Sequence, residues 1–157
     1  MEQPDKVIRV SDVSSLRALI DVAPLESAWV EIDQVRVNEF ADATGDHQWI
    51  HVDPERAERE SPFGGPIAHG FLTLSLIGAL LGRTVELQQR AVVNYGLNRV
   101  RFTAPVRVGT RVRARFQVMN VTDVEAGGVQ VIWDVTLDIE GSGKPACVAE
   151  FITRHYF

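Results

Sequence analysis

The sequence has little of what would direct it to several common tasks. One cysteine, Cys147, stands among 157 residues, so no internal disulfide can form and a disulfide-stapled domain is excluded. Its neighbours Ala146, Val148 and Ala149 fit a buried inert thiol better than a nucleophile. No apolar run reaches the roughly 18 residues of a membrane span. The longest, Gly70 to Leu81, is broken by Thr73, Ser75 and Gly78. Met1 to Lys6 lacks the basic and apolar parts of a secretory leader, which makes the cytoplasm the expected location.

A basic excess is missing too. The net charge of −5 argues against a nucleic-acid backbone as partner. The local run Arg99, Arg101, Arg107, Arg111, Arg113 and Arg115 mostly alternates with apolar residues and reads as solvated strand faces. No repeat, low-complexity tract or linker divides the chain. One domain over 1–157 is the expectation, with 1–25 as an N-terminal helical extension.

What is present is a change of period halfway along. Ser11 to Ile20 has helical spacing at Leu16, Leu19 and Ile20, and Trp29 to Ile32 reads as a strand. Asp33 makes a helix cap before Val37, Phe40 and Ala41, with Gly45 as the stop. Asp53-Pro54 is a second helix start, and Pro62 to Pro66 a loop. From about His69 to Leu81 nearly every side chain is apolar, which predicts a helix wrapped on all sides and stopped by Gly82. Val92 to Phe102 has strand-like pieces around Gly96. Arg111 to Val121, Val129 to Ile139 and Ala146 to Thr153 then carry period-two patterns separated by Gly127-Gly128 and Gly141 to Gly143. A long apolar helix followed by antiparallel strands predicts an α+β fold, the sheet curved around the helix. Open sheet edges favour pairing with a second copy, hence a homodimer.

Chemistry concentrates in Asp46, His51 and His69-Gly70. Asp46 and His51 lie between a helix stop and a helix cap, on a loop that can aim a carboxylate and an imidazole at one water. Each has a plain alternative: an aspartate after glycine is commonly a turn residue, and a single histidine is commonly structural. Gly70 opens the apolar helix, where free N–H groups and the helix dipole suit a developing oxyanion. Close packing of helix on sheet would equally call for glycine. His47 and His51 are four apart, but no HExxH occurs and the residues before Asp53 do not read as a helix, so no metal is expected. Ser61 and Ser75 lack a G-x-S-x-G elbow.

These residues resemble a known family. Phe40 to His51 with Val52-Asp53-Pro54, then Pro66-Ile67-Ala68-His69-Gly70-Phe71-Leu72-Thr73-Leu74, is similar to the signature of the MaoC-like (R)-specific enoyl-CoA hydratases. Val100-Arg101-Phe102, Pro105-Val106 and Gly109 resemble the family's strand after the central helix. The resemblance implies a hot-dog fold and hydration of a trans-2-enoyl thioester to the (3R)-hydroxyacyl thioester, or the reverse. It maps the catalytic pair onto Asp46 and His51 and the oxyanion hole onto Gly70. Gln48, Trp49 and His69 then fall to support or substrate binding. Coenzyme A enters as part of the substrate, and no cofactor is implied. Gln48-Trp49 replaces the family's usual Asn-Pro, a variant similar to the nodulation-protein-like subgroup. A thioesterase on the same fold, or a non-catalytic acyl-thioester-binding module, are the alternatives.

Overall fold

The computed structural model describes residues 7–157. The expectation about a leader in Met1 to Lys6 therefore lies outside the described residues. The N-terminal segment is more varied than a helical extension: β1 (Ile8–Val10), α1 (Val13–Arg17) and a 3-10 turn (Ala18–Asp21) precede β2 (Leu25–Glu26) and β3 (Val30–Ile32). Asp12 caps α1 through the N–H of Ser15, and Leu16 and Leu19 point into the core.

Asp33 and Gly45 delimit α2 (Gln34–Thr44) as the local signals require. The Asp33 carboxylate accepts from the Arg36 N–H at 2.8 Å, and Gly45 closes the helix with φ +79°, the left-handed region that glycine enters at no steric cost. A one-turn helix α3 (Trp49–Val52) follows, and then α4 (Pro54–Glu60), capped by Asp53. The stretch before Asp53 is thus partly helical, against the expectation of a plain loop. Four residues carry too weak a period to be read.

The apolar helix α5 runs from Gly70 to Thr84 and passes straight through Gly82 into β4 (Val85–Leu87). Burial of Leu80, Leu81 and Thr84 outweighs the ~1 kcal/mol helix penalty of glycine, so the expected stop does not operate. β4 pairs in parallel with β1.

The main sheet is antiparallel, in the order β2-β6-β7-β8-β5, and β3 also pairs with β6. β6 (Thr110–Val124), β7 (Gly128–Ile139) and β8 (Cys147–Tyr156) bury the faces that the alternation marks, among them Ala114, Phe116, Val131, Trp133, Val135 and Leu137. Trp133, buried completely, donates its indole N–H to Thr153 Oγ1 at 2.8 Å. A bulge between Val118 and Asn120 resets the phase of β6, exposing Met119 and returning Val121 to the core. On the outer face Arg111 pairs with Glu140, Arg113 with Glu26 and Arg115 with Asp138, the solvated reading of those arginines.

β5 (Ala91–Phe102) forms the other edge and pairs with β8. Val92, Val93, Tyr95, Leu97 and Phe102 are all exposed along it. The α5 face formed by Phe71, Ser75, Ala79 and Gly82 is uncovered as well, so a single chain does not wrap this helix on every side. Among the described residues, no helix is long and apolar enough to cross a membrane.

Candidate active site

Two helix ends and one strand-like crossing bring the predicted residues together. After the Gly45 stop, the chain turns at Asp46 and enters α3, whose first bond runs from the His51 N–H to the Gln48 carbonyl at 3.0 Å. His51 therefore sits on a helical turn, not on a loop. The Ile67 segment passes beside it: the Ile67 N–H donates to the Ile50 carbonyl at 3.0 Å, and Ile67 bridges Arg107 in antiparallel fashion.

This crossing fixes the state of His51. Its Nδ1–H donates to the Ile67 carbonyl at 2.6 Å, which leaves the Nε2 lone pair available as a base. Burial lowers the His51 pKa below 6.5, and the neighbouring His69 acts in the same direction. The Ile67 bond and Asp46 oppose the shift. His51 is thus held neutral near pH 7. Gln34 adds a third anchor, its Nε2 donating to the His51 carbonyl at 2.7 Å.

His69 is the N-cap of α5 and is 3% exposed. Its Nε2–H donates to the backbone carbonyl of Asp46 at 2.9 Å, and its Nδ1 is buried without a partner. The His51 and His69 rings stack with centroids 3.9 Å apart, and Phe40 closes the other side of His69 at 5.0 Å. One polar atom from each of Asp46, His51 and His69 lies within 4.8 Å of the others. That set has the composition of a metal site. Two of the four ring nitrogens are already engaged, His51 Nδ1 by the Ile67 carbonyl and His69 Nε2 by the Asp46 carbonyl. His47, four residues before His51, points elsewhere and bonds Asp42 Oδ1 at 2.8 Å.

Gly70 is the first residue of α5, where N–H groups lack intrahelical acceptors. A methyl group here would stand 3.0 Å from the Phe102 ring, tighter than ordinary contact, so close packing also favours glycine at this position. Trp49 lies under the Arg56 guanidinium at 4.4 Å, and Arg56 is held in turn by Glu60. Gln48 contributes its carbonyl to the first turn of α3. Beside Asp46 an open apolar groove of about 390 Å³ runs along α5, lined by Phe40, Thr44, Phe71, Leu74 and Ser75.

Sequence reasoning missed Gln34 and the Ile67 carbonyl, and it read Arg107 as a solvated strand face, whereas Arg107 Nη2 donates to the Gly64 carbonyl at 2.6 Å. All three contacts join segments distant in sequence. The adjacent Gly64-Gly65 pair, with φ +73° and +150°, was the one local sign that another chain segment approaches there.

The MaoC like domain profile matches residues 16–138. A 3-hydroxyacyl-thioester dehydratase Z of Mycobacterium tuberculosis (strain CDC 1551 / Oshkosh) is 55% identical over 131 residues, covering 83% of this chain and 86% of that protein. Nodulation protein N of Rhizobium meliloti (strain 1021) is 48% identical over 152 residues, 96% and 92% of the two chains. The solved (R)-hydratase from A. caviae involved in PHA biosynthesis superposes with a TM-score of 0.66 at 25% identity, over 83% of this chain and 94% of that one. The fold is the hot-dog fold of these neighbours, a helix packed on an antiparallel sheet, and the chain belongs to the MaoC-like domain family.

Proposed function

We propose that this protein is an (R)-specific hydro-lyase that adds water to trans-2-enoyl-CoA to give (3R)-3-hydroxyacyl-CoA, or runs the reverse dehydration. One observation carries the reading: the His51 Nδ1–H bond to Ile67 leaves Nε2 free on a ring that has one nitrogen within 4.8 Å of an Asp46 carboxylate oxygen, and Asp46 borders an apolar groove. The names of the dehydratase and (R)-hydratase relatives support it.

In this mechanism Asp46 and His51 hold one water against C3 of the enoyl thioester. As the water oxygen bonds to C3, His51 Nε2 takes a proton from it. The electron pair of the C2–C3 double bond moves toward the thioester oxygen, which the Gly70 N–H receives. C2 then takes a proton relayed through the Asp46 carboxyl group, and the proton on His51 restores the balance. His69 acts as a positioning residue that holds the Asp46 backbone, while Gln48 and Trp49 shape the turn beneath His51. No metal or separate cofactor enters these steps, since coenzyme A arrives with the substrate.

The uncovered apolar edge of β5 and face of α5 support a homodimer in which a second copy closes the groove. Val93→Lys, placed opposite Arg154, is expected to shift the species seen by light scattering toward the monomer. A cytoplasmic enzyme without a nucleic-acid partner fits the acidic net charge.

The deciding experiment follows crotonyl-CoA by loss of enoyl absorbance, with chiral analysis of the product. Formation of (3R)-3-hydroxybutyryl-CoA is expected. Release of free thiol without hydration would overturn the reading in favour of a thioesterase.

A further inference from the structure

A second cavity, of about 220 Å³, opens between α5 and β5 and shares Leu74 and Ser75 with the groove beside Asp46. Its space exists because two lining positions carry no side chain, Gly78 on the helix and Gly96 on the strand. The pairing of β5 with β8 slips twice at this point, between Asn94 and Gly96 and between Leu97 and Arg99. Bulges of this kind re-aim side chains. Asn94 lies opposite Thr153, a residue of the buried sheet face, and its amide reaches α5. A methyl group on Gly78 would stand 3.5 Å from Asn94 Nδ2 and 4.0 Å from Oδ1.

The polar inventory of this cavity is short. The Ser75 hydroxyl is already used, donating to the Leu72 carbonyl at 2.7 Å. The Tyr95 ring turns outward under the Arg154 guanidinium at 3.6 Å. Among the described residues of the single chain nothing bonds the Asn94 side chain, which retains both its donors and its acceptor there. With a helix rise of about 1.5 Å per residue, Gly78 lies about 10 Å along α5 from Phe71. Asn94 therefore stands a medium-length acyl chain away from the acid/base groups.

We propose that the acyl groove ends at Asn94, and that its amide selects 2-enoyl thioesters whose chain carries a hydroxyl or ketone oxygen at the far end. This rests on the hydratase reading above. Asn94 is exposed in the single chain; once the second copy proposed above covers this edge of β5, an apolar chain end displaces water from the amide and leaves it unbonded, whereas an oxygen-bearing end replaces the lost hydrogen bond.

The test compares kcat/KM for trans-2-octenoyl-CoA and its terminally hydroxylated counterpart, with crotonyl-CoA as the reference. The native protein is expected to favour the hydroxylated chain about five-fold, the worth of one net hydrogen bond. Asn94→Leu should reverse that ratio, and Asn94→Ala, which removes the amide without adding bulk, should bring it close to one. The ratio is the readout, so a variant with lower overall activity still reports. A native preference for the plain chain, or a ratio unchanged in both variants, overturns the inference while normal crotonyl-CoA hydration leaves the reaction standing. Failure to hydrate any of the three removes the reaction itself and this inference with it.

Discussion

The role proposed for His51 rests on three contacts that involve the backbone. The Ile67 carbonyl fixes the proton on Nδ1, the Gln48 carbonyl receives the main-chain N–H, and Gln34 holds the main-chain oxygen. Replacing the ring should therefore remove chemistry without removing structure. His51→Gln and Asp46→Asn are each expected to lower kcat roughly 100- to 10,000-fold, with circular dichroism unchanged. Near-native turnover in either variant would exclude that residue from the acid/base step. The pH dependence has a definite direction. Burial lowers the His51 pKa, so the base stays unprotonated below pH 6.5, and the acid limb of kcat/KM should fall under that value. A limb above pH 6.5 would mean that protonated His51 is the better-solvated form and that the groove is wetter than its lining implies.

At the scale of elements, the caps around the site are worth more than their exposure indicates. Asp33→Ala removes the acceptor for the Arg36 N–H and should cost about 1 kcal/mol, read as a lower urea midpoint with an unchanged slope. A cost near zero would show that the start of α2 is held by packing alone. Asp33, Gly45 and Asp53-Pro54 were legible in the sequence because a cap is a contact within three or four residues. The strand faces were legible for a similar reason, since alternation records burial directly, and Phe116 and Trp133 fell where it put them. α3 was not legible, being a single turn whose period has no room to repeat. The length of α5 was misread because Gly82 is a stop signal only where the helix has no buried residues beyond it, and Thr84 is buried. At the site, Asp46 and His51 were visible as residue types at a telling spacing. The stacking of His51 on His69 was not, since it depends on segments 18 residues apart meeting across the Ile67 crossing.

Across the whole molecule the most consequential buried polar chain lies on the inner face of the sheet. Trp133 N–H donates to Thr153 Oγ1, Thr153 donates to His155 Nε2 at 2.6 Å, and His155 Nδ1–H donates to Gln89 Oε1 at 2.7 Å. With His155 neutral every link is satisfied, Nε2 accepting from the Thr153 hydroxyl while Nδ1–H donates to Gln89. Burial pushes the His155 pKa down from 6.5 to about 4. In the unfolded chain this imidazole takes up its proton near pH 6.5, and in the fold only near pH 4. Stability is therefore lost as the pH falls between those values, by about 3 kcal/mol in all. His155→Gln should remove that part of the acid sensitivity, measured as urea unfolding free energy at pH 7, 5 and 4. An identical pH slope in native protein and variant would locate the acid sensitivity elsewhere.

The stacked imidazole pair also has a magnetic consequence. The ring protons of His51 lie over the face of His69, within the shielding region of its ring current. Of the four imidazoles in the chain, His47 stands apart in solvent and His155 at the far network, so the His51 carbon-bound proton signals should be displaced upfield from theirs. The protonation of the base, and its response to a bound thioester, can then be followed by nuclear magnetic resonance in the unmodified protein, with no label beyond the neighbour the fold provides.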